Sequence, residues 1–283
     1  MPAVFVSDLD GTLLDNEGCL PVKTREGLEE LIDHGVLFSI ATARGINSLR
    51  EIVGDLRIPL PVVTVNGAYV SEYTTGEHLY VSGIESSAAR QVVRLARHRG
   101  MSPILSVYGP AGDQLLVAEI ANKAMQWFVD DRRSAGDPRL KQVSEVESGL
   151  EHQVTCITLM GEWSKLQEVR HEIHERCTEA VQSHLFENLY SLGSYWLTIH
   201  GSGATKAEGI RKMLQQSGLV GAKLVVYGDH SNDLEMFQLA DIGIAVANAV
   251  PELKRIASVC IGSNQAQSVI DDLRRRAIID ASA

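Results

Sequence analysis

Short apolar runs alternate with amphipathic stretches over the first part of the chain. Val4-Phe5-Val6-Ser7 is a β-rich run broken by Gly11, and Val36 to Ala41 and Pro61 to Val65 are two more. Between them, Leu28, Leu31 and Ile32 recur at helical spacing within Thr24 to His34, which Gly35 terminates. Ile46, Leu49 and Val53 mark a second helical face. Strands that are apolar throughout, separated by helices of this length, predict βαβ units and a parallel sheet buried on both faces.

The middle of the chain keeps a different rhythm. Ala88 to Arg99 is amphipathic through Ala89, Val92, Val93 and Ala96 and ends at Gly100. Ile104 to Val107 and Leu115 to Ala118 flank Tyr-Gly-Pro-Ala-Gly-Asp, a hairpin pattern. Ala121 to Val129 reads as a helix and the polar Asp130 to Pro138 as a loop. Val154 to Met160 and Tyr195 to Ile199 read as strands, and Trp163 to Cys177 as a helix with Leu166, Val169 and Ile173 on one face. From Lys206 the first rhythm returns: a helix to Ser217, strands at Leu224 to Tyr227, Ile242 to Val246 and Val259 to Ile261, and a closing helix from Gln267 to Arg275. The pattern predicts a discontinuous α/β core formed by residues 1–82 and 195–283, with an α+β domain inserted over residues 83–194.

Composition narrows the class. With 283 residues, 45% hydrophobic and 22% charged, the chain has the make-up of a soluble globular protein. A net charge of −10 leaves no basic surplus for non-specific nucleic-acid binding, although one local cationic pocket would suffice for a small phosphorylated metabolite. No apolar run approaches the roughly 18 residues of a membrane span, so no membrane partner is expected. The N-terminus has no basic region ahead of its apolar run, and Cys19, Cys156, Cys177 and Cys260 form no CxxC pair. Both features predict a cytoplasmic protein with reduced thiols. Monomer and homodimer both remain open.

The candidate chemistry sits where apolar strands end. Asp8-Leu9-Asp10-Gly11-Thr12-Leu13-Leu14 follows the first strand. Residues two apart in an extended segment point to the same side, so Asp8 and Asp10 can share one site at the carboxyl edge of the sheet, where open α/β sheets bind ligands. Alone, the pair reads better as two solvated turn aspartates, because the pattern is common. Gly228-Asp229-His230-Ser231-Asn232-Asp233 changes the balance, because it follows another apolar strand and brings further acidic groups to the same edge. Converging carboxylates repel one another and lose hydration unless a cation joins them. Oxygen donors of this kind suit a hard ion such as Mg²⁺. Thr42 adds a hydroxyl at the end of the second strand, Arg44 a guanidinium suited to phosphate or substrate, and Lys206 an ammonium at the start of a helix. Asn66-Gly67 is a hairpin signal, with Asn66 a weaker ligand candidate.

Together these residues resemble the haloacid dehalogenase (HAD) superfamily, and within it the Cof-type branch, subfamily IIB. The carrying motifs are Asp8-Leu-Asp-Gly-Thr-Leu-Leu14, Ala41-Thr-Ala-Arg44, Lys206 and Gly228-Asp-His-Ser-Asn-Asp-Leu-Glu-Met236, all in the family's order. The resemblance implies a Rossmann-like core, a C2-type cap in the inserted segment, and a Mg²⁺-dependent phosphatase acting on small phosphomonoesters such as sugar phosphates. It also implies roles. Asp8 is the nucleophile. Asp10 is general acid and then base, its backbone carbonyl binding Mg²⁺. Thr42 and Lys206 hold the phosphoryl oxygens, and Asp229 is the remaining direct metal ligand, with Asn232 and Asp233 close by. A phosphomutase and a non-catalytic binding protein on the same fold are the competing classes. Three positions depart from the family pattern: Ala43 stands where Gly is usual, Val246-Ala-Asn-Ala249 replaces Met-Gly-Asn-Ala, and Asn264 lacks the acidic residue and glycine that usually follow it.

Overall fold

The computed structural model describes residues 3–177, 179–187 and 193–281. They divide into two compact units, one made of the chain up to Tyr80 and from Ala204 onward, the other of Val81–Gly203. The first unit opens with β1 (Val4–Ser7), α1 (Val22–Asp33), β2 (Leu37–Ile40), α2 (Ile46–Val53), β3 (Val62–Thr64), β4 (Tyr69–Ser71) and β5 (His78–Val81). The second holds α3 (Ser86–His98), β6 (Ile104–Gly109), β7 (Gly112–Val117), α4 (Lys123–Ser134), β8 (Leu140–Gln142), β9 (Gln153–Gly161), α5 (Trp163–Cys177), β10 (Val181–Glu187) and β11 (Tyr195–Gly201). The first then resumes with α6 (Lys206–Gln216), β12 (Leu224–Gly228), α7 (Leu234–Leu239), β13 (Ile242–Ala245), α8 (Pro251–Ile256), β14 (Val259–Cys260) and α9 (Ser268–Ala281). Among the described residues no helix is long and apolar enough to cross a membrane.

The first unit is built on the parallel sheet β14-β13-β12-β1-β2. A parallel bridge from Ala41 to Val63 leads on to β3, which turns antiparallel into β4. Burial explains the unbroken apolar runs read from the sequence. Val4, Phe5 and Val6 of β1 and Val225, Val226 and Tyr227 of β12 are all buried, because helices cover the strands. Helix α6 lies close against β3: a Cβ on Gly209 would come within 2.4 Å of Val63 Cγ1.

The second unit is a six-stranded sheet in the order β10-β11-β9-β6-β7-β8. Leu105, Ile157, Leu159, Leu197 and Ile199 point to the face packed with α3 and α5, while Ile104, Leu115, Val117 and Met160 join Phe128 of α4 in a separate cluster. Sheet and helices on each face give this unit cores of its own. Two readings of the pattern need correction here. Tyr195–Gly201, assigned above to the core domain, pairs antiparallel with β10 and β9 and belongs to the second unit. A single alternating strand does not encode which sheet it will join. The polar stretch from Asp130 does not open a loop, since α4 continues to Ser134. Arg132 folds back over the Phe128 ring at 3.4 Å, so the polar turn is carried by contacts four residues apart.

Candidate active site

Three neighbouring strands deliver their next residues to one edge. In β1, Ser7 is in register with Tyr227 of β12 and Ile40 of β2. Asp8, Asp229 and Thr42 therefore emerge together at the carboxyl edge of the sheet, with the Asp8 N–H donating to the Tyr227 carbonyl at 2.9 Å. The chain turns after Asp8 at Gly11, whose φ of +72° is a left-handed conformation that favours glycine. Glycine is required there for space as well. A Cβ at Gly11 would sit 2.4 Å from Asp229 Oδ2, in the middle of the carboxylate cluster.

Carboxylate oxygens of Asp8, Asp229 and Asp233 all lie within 4.8 Å of one another. Lys206, 1% exposed, places its ammonium 2.7 Å from Asp8 Oδ1 and 2.7 Å from Asp233 Oδ1. The second oxygen of Asp233 accepts from the backbone N–H groups of Asp229 and His230, each at 2.9 Å, and Thr12 donates its hydroxyl to Asp229 Oδ1 at 3.1 Å. One ammonium thus faces three carboxylates. Burial, with Asp233 and Asp229 adding to it, pushes Asp8 well above the usual carboxylate range in spite of Lys206. Burial and then Asp233 also push Asp229 up. Burial alone would lower the Lys206 pKa, but Asp233 and Asp8 outweigh it and hold the ammonium above its ordinary range. An uncompensated, all-oxygen donor set of this kind fits a hard divalent cation. Asp233 has given its oxygens to Lys206 and the backbone, so Asp8 and Asp229 are the side chains with an oxygen that could bind an ion directly.

Asp10 stands apart from this cluster. Its carboxylate takes a two-pronged contact from Arg44, with Nη2 to Oδ1 at 2.7 Å and Nε to Oδ2 at 2.8 Å. Thr42 is fully buried, and its hydroxyl accepts from the Arg44 N–H at 3.1 Å. Asn66 and Asn232 meet, Nδ2 of Asn232 donating to Oδ1 of Asn66 at 3.0 Å. The hairpin anticipated at Asn66-Gly67 forms between β3 and β4, but through a wider turn. Val65, Asn66 and Gly67 have φ of +51°, +52° and +95° in succession. A β-branched residue at positive φ is strained, and strain of this kind collects at functional sites. Three groups to which the sequence reading gave no role make contacts here: Thr12 on Asp229, Asn248 donating to the Gly11 carbonyl at 2.7 Å, and Asn264 donating to the Leu14 carbonyl at 2.8 Å. Asn248 and Asn264 fall in two of the segments that depart from the family pattern, and they hold the loop that carries Asp8 and Asp10.

Gly67 offers a check on this wall of the site. A Cβ there would lie 1.9 Å from the carbonyl oxygen of Thr205, the residue that caps α6 just before Lys206. Gly67→Ala is expected to cost about 3 kcal/mol, from overpacking and the left-handed backbone together. Urea unfolding measures it. A loss below about 1 kcal/mol would show that this turn and α6 have room to separate.

The chain matches the model of the haloacid dehalogenase-like hydrolases over residues 5–273. It is 25% identical over 277 residues to the 5-amino-6-(5-phospho-D-ribitylamino)uracil phosphatase YitU of Bacillus subtilis, covering 95% of each chain. The crystal structure of TM0651 from Thermotoga maritima is similar with a TM-score of 0.79 at 23% identity, covering 97% of both chains. A HAD subclass IIB sugar phosphatase, BT4131, matches with a TM-score of 0.75 at 22% identity, over 98% of this chain and 100% of that one. Motif order, the carboxylate cluster at the sheet edge and a family match running almost from end to end agree: the chain belongs to the haloacid dehalogenase-like hydrolases.

Proposed function

We propose that the protein is a Mg²⁺-dependent phosphatase of small phosphomonoesters that works through an aspartyl-phosphate on Asp8. The observation that carries this reading is the buried Asp8 carboxylate, held at 2.7 Å by Lys206 in a cluster with Asp229 and Asp233. Asp8 attacks phosphorus, and the bond to the ester oxygen breaks as Asp10 gives that oxygen a proton. Asp10 then takes a proton from water, whose oxygen attacks phosphorus and releases phosphate and the Asp8 carboxylate. Lys206 and Thr42 hold the phosphoryl oxygens, with Asn232 and Asn66 at the margin of that pocket. Asp8, Asp229 and the Asp10 backbone carbonyl would hold Mg²⁺, which when bound would supply the positive charge that lets a carboxylate approach a phosphate. Asp233 keeps Lys206 and the Asp229 loop in place.

The substrate class is a phosphate on a small polyol or sugar. The relatives support this, since YitU is named for a phosphoribityl compound and BT4131 for sugar phosphates. A screen of phosphorylated metabolites with Mg²⁺ and with EDTA tests the reading through phosphate release. Release from no ester would overturn it, and conversion of a hexose phosphate to an isomer without free phosphate would replace it with a mutase.

Metal removal has a pH signature. Asp8 and Asp229 have raised native pKa values, so the metal-free folded protein binds more protons than the unfolded chain. Its stability is therefore expected to fall as pH rises from the unfolded carboxylate value of about 4 through the raised native values. A bound cation removes that penalty. Mg²⁺ is expected to raise Tm more at pH 7.5 than at pH 5. Equal shifts at both pH values would contradict the assignment of Asp8 and Asp229 as ligands.

A further inference from the structure

We infer that Arg44 acts on the reaction through Asp10, as the residue that positions the proton-transfer carboxylate, rather than by touching the substrate. The inference rests on the reading of Asp10 given above. Asp10 is on a short, half-exposed side chain, and left alone its carboxylate would sample several rotamers. The planar guanidinium of Arg44 grips both of its oxygens, at 2.7 and 2.8 Å, a geometry that fixes direction as well as distance. Arg44 is itself held along its length. Its Nη1 donates to Ser48 Oγ at 3.3 Å, its backbone N–H to Thr42 Oγ1 at 3.1 Å, and its carbonyl accepts from the Val65 N–H at 2.9 Å. The grip therefore runs from the end of β2, one strand over from Asp8, into the carboxylate of Asp10. A partly exposed ion pair adds under about 1 kcal/mol to stability. Holding the fold together is thus a poor account of so constrained a pair, and fixing the direction of proton transfer is a better one.

The two roles separate in a double-mutant cycle with aryl phosphates. Phenyl phosphate has the more basic leaving group and needs Asp10 more than p-nitrophenyl phosphate does. Arg44→Met is expected to lower kcat for phenyl phosphate about tenfold and for p-nitrophenyl phosphate less than about threefold, a fraction of what losing the acid itself would cost. KM should move less than about twofold for either ester, as expected when no ground-state contact is lost. In an Asp10→Asn background, Arg44→Met should cause no further loss, because the group it positions is gone. Arg44→Lys, which keeps the charge but not the fork, should recover only part of the rate, and all variants should unfold within a few degrees of wild type. A raised KM with the same loss in both backgrounds would make Arg44 a substrate contact and overturn the inference, as would an unchanged rate. If Asp10→Asn alone leaves phenyl phosphate turnover intact, the proton-transfer reading of Asp10 falls and takes this role with it. If Asp10→Asn is slow and Arg44→Met adds to it in full, only the role of Arg44 falls.

Discussion

Asp8→Asn is expected to reduce phosphate release by on the order of 10⁴-fold or more, as removal of a nucleophile does when the rest of the site remains. The amide matches the carboxylate in shape but has no anionic oxygen to attack phosphorus. The same variant carries a less obvious expectation about stability. Burial raises the Asp8 pKa well above its ordinary value, so the metal-free site prefers a neutral group at this position. An amide imitates that neutral form. The metal-free variant should therefore be at least as stable as the metal-free wild type at pH 7.5, and the Tm increase produced by Mg²⁺ should shrink. Turnover within tenfold of wild type would remove Asp8 from the nucleophile role. A large loss of metal-free stability would instead mean that the Lys206 contact outweighs the burial of charge.

Lys206→Met attacks the same cluster from the cationic side, with the opposite result for stability. Lys206 is buried and touches Asp8 and Asp233 at 2.7 Å each. Methionine fills much of its volume and leaves two buried carboxylates without their partner. Breaking a buried pair in this way costs about 3–5 kcal/mol, more than most single substitutions. The sign of the pH effect follows from Asp8. Without the ammonium its native pKa rises further, so the penalty is full above that raised value and disappears below the unfolded carboxylate pKa of about 4. Urea unfolding should show a larger loss at pH 7.5 than at pH 5. Activity should also fall by about 10²- to 10³-fold, the range for removing one preorganised charge from a developing anion. A stability loss under about 1 kcal/mol, the same at both pH values, would show that Asp8 and Asp233 do not depend on Lys206 for compensation.

The two predictions use residues that were legible in the sequence for one physical reason. Asp8 and Asp229 each follow a contiguous apolar run, and such runs mark parallel strands whose carboxyl ends share an edge. Lys206 was visible at a helix start, but its burial and its double contact were not, because they depend on α6 packing against β3. Elements with weak apolar character were harder to read. β10 contains Gln182, Ser183 and His184 and has no apolar run to announce it, and β8 is three residues with exposed Lys141 and Gln142. The domain boundary slipped because Tyr195–Gly201 reads the same way whichever sheet receives it. Asn248 reaches Gly11 across 237 residues of chain, and Arg44 reaches Asp10 across 34. No local pattern reports contacts of that range; only the completed sheet brings these groups together.

The position of β1 between β2 and β12 has a consequence during synthesis. The ribosome delivers β1 and β2 early, but the other edge of β1 has no partner until Leu224–Gly228 has been made. At roughly 5–20 residues per second, that interval lasts on the order of ten seconds. Throughout it an apolar strand edge stays open to pairing with other chains, the ordinary route to aggregation. Meanwhile the intervening unit, Val81–Gly203, is contiguous in the chain and has its own apolar clusters, so it can fold as soon as it emerges. Expressed alone, residues 81–203 should be soluble and cooperative, whereas residues 1–80 should require chaperones or precipitate. The nascent protein thus completes its middle first and acquires the surroundings of Asp8 last.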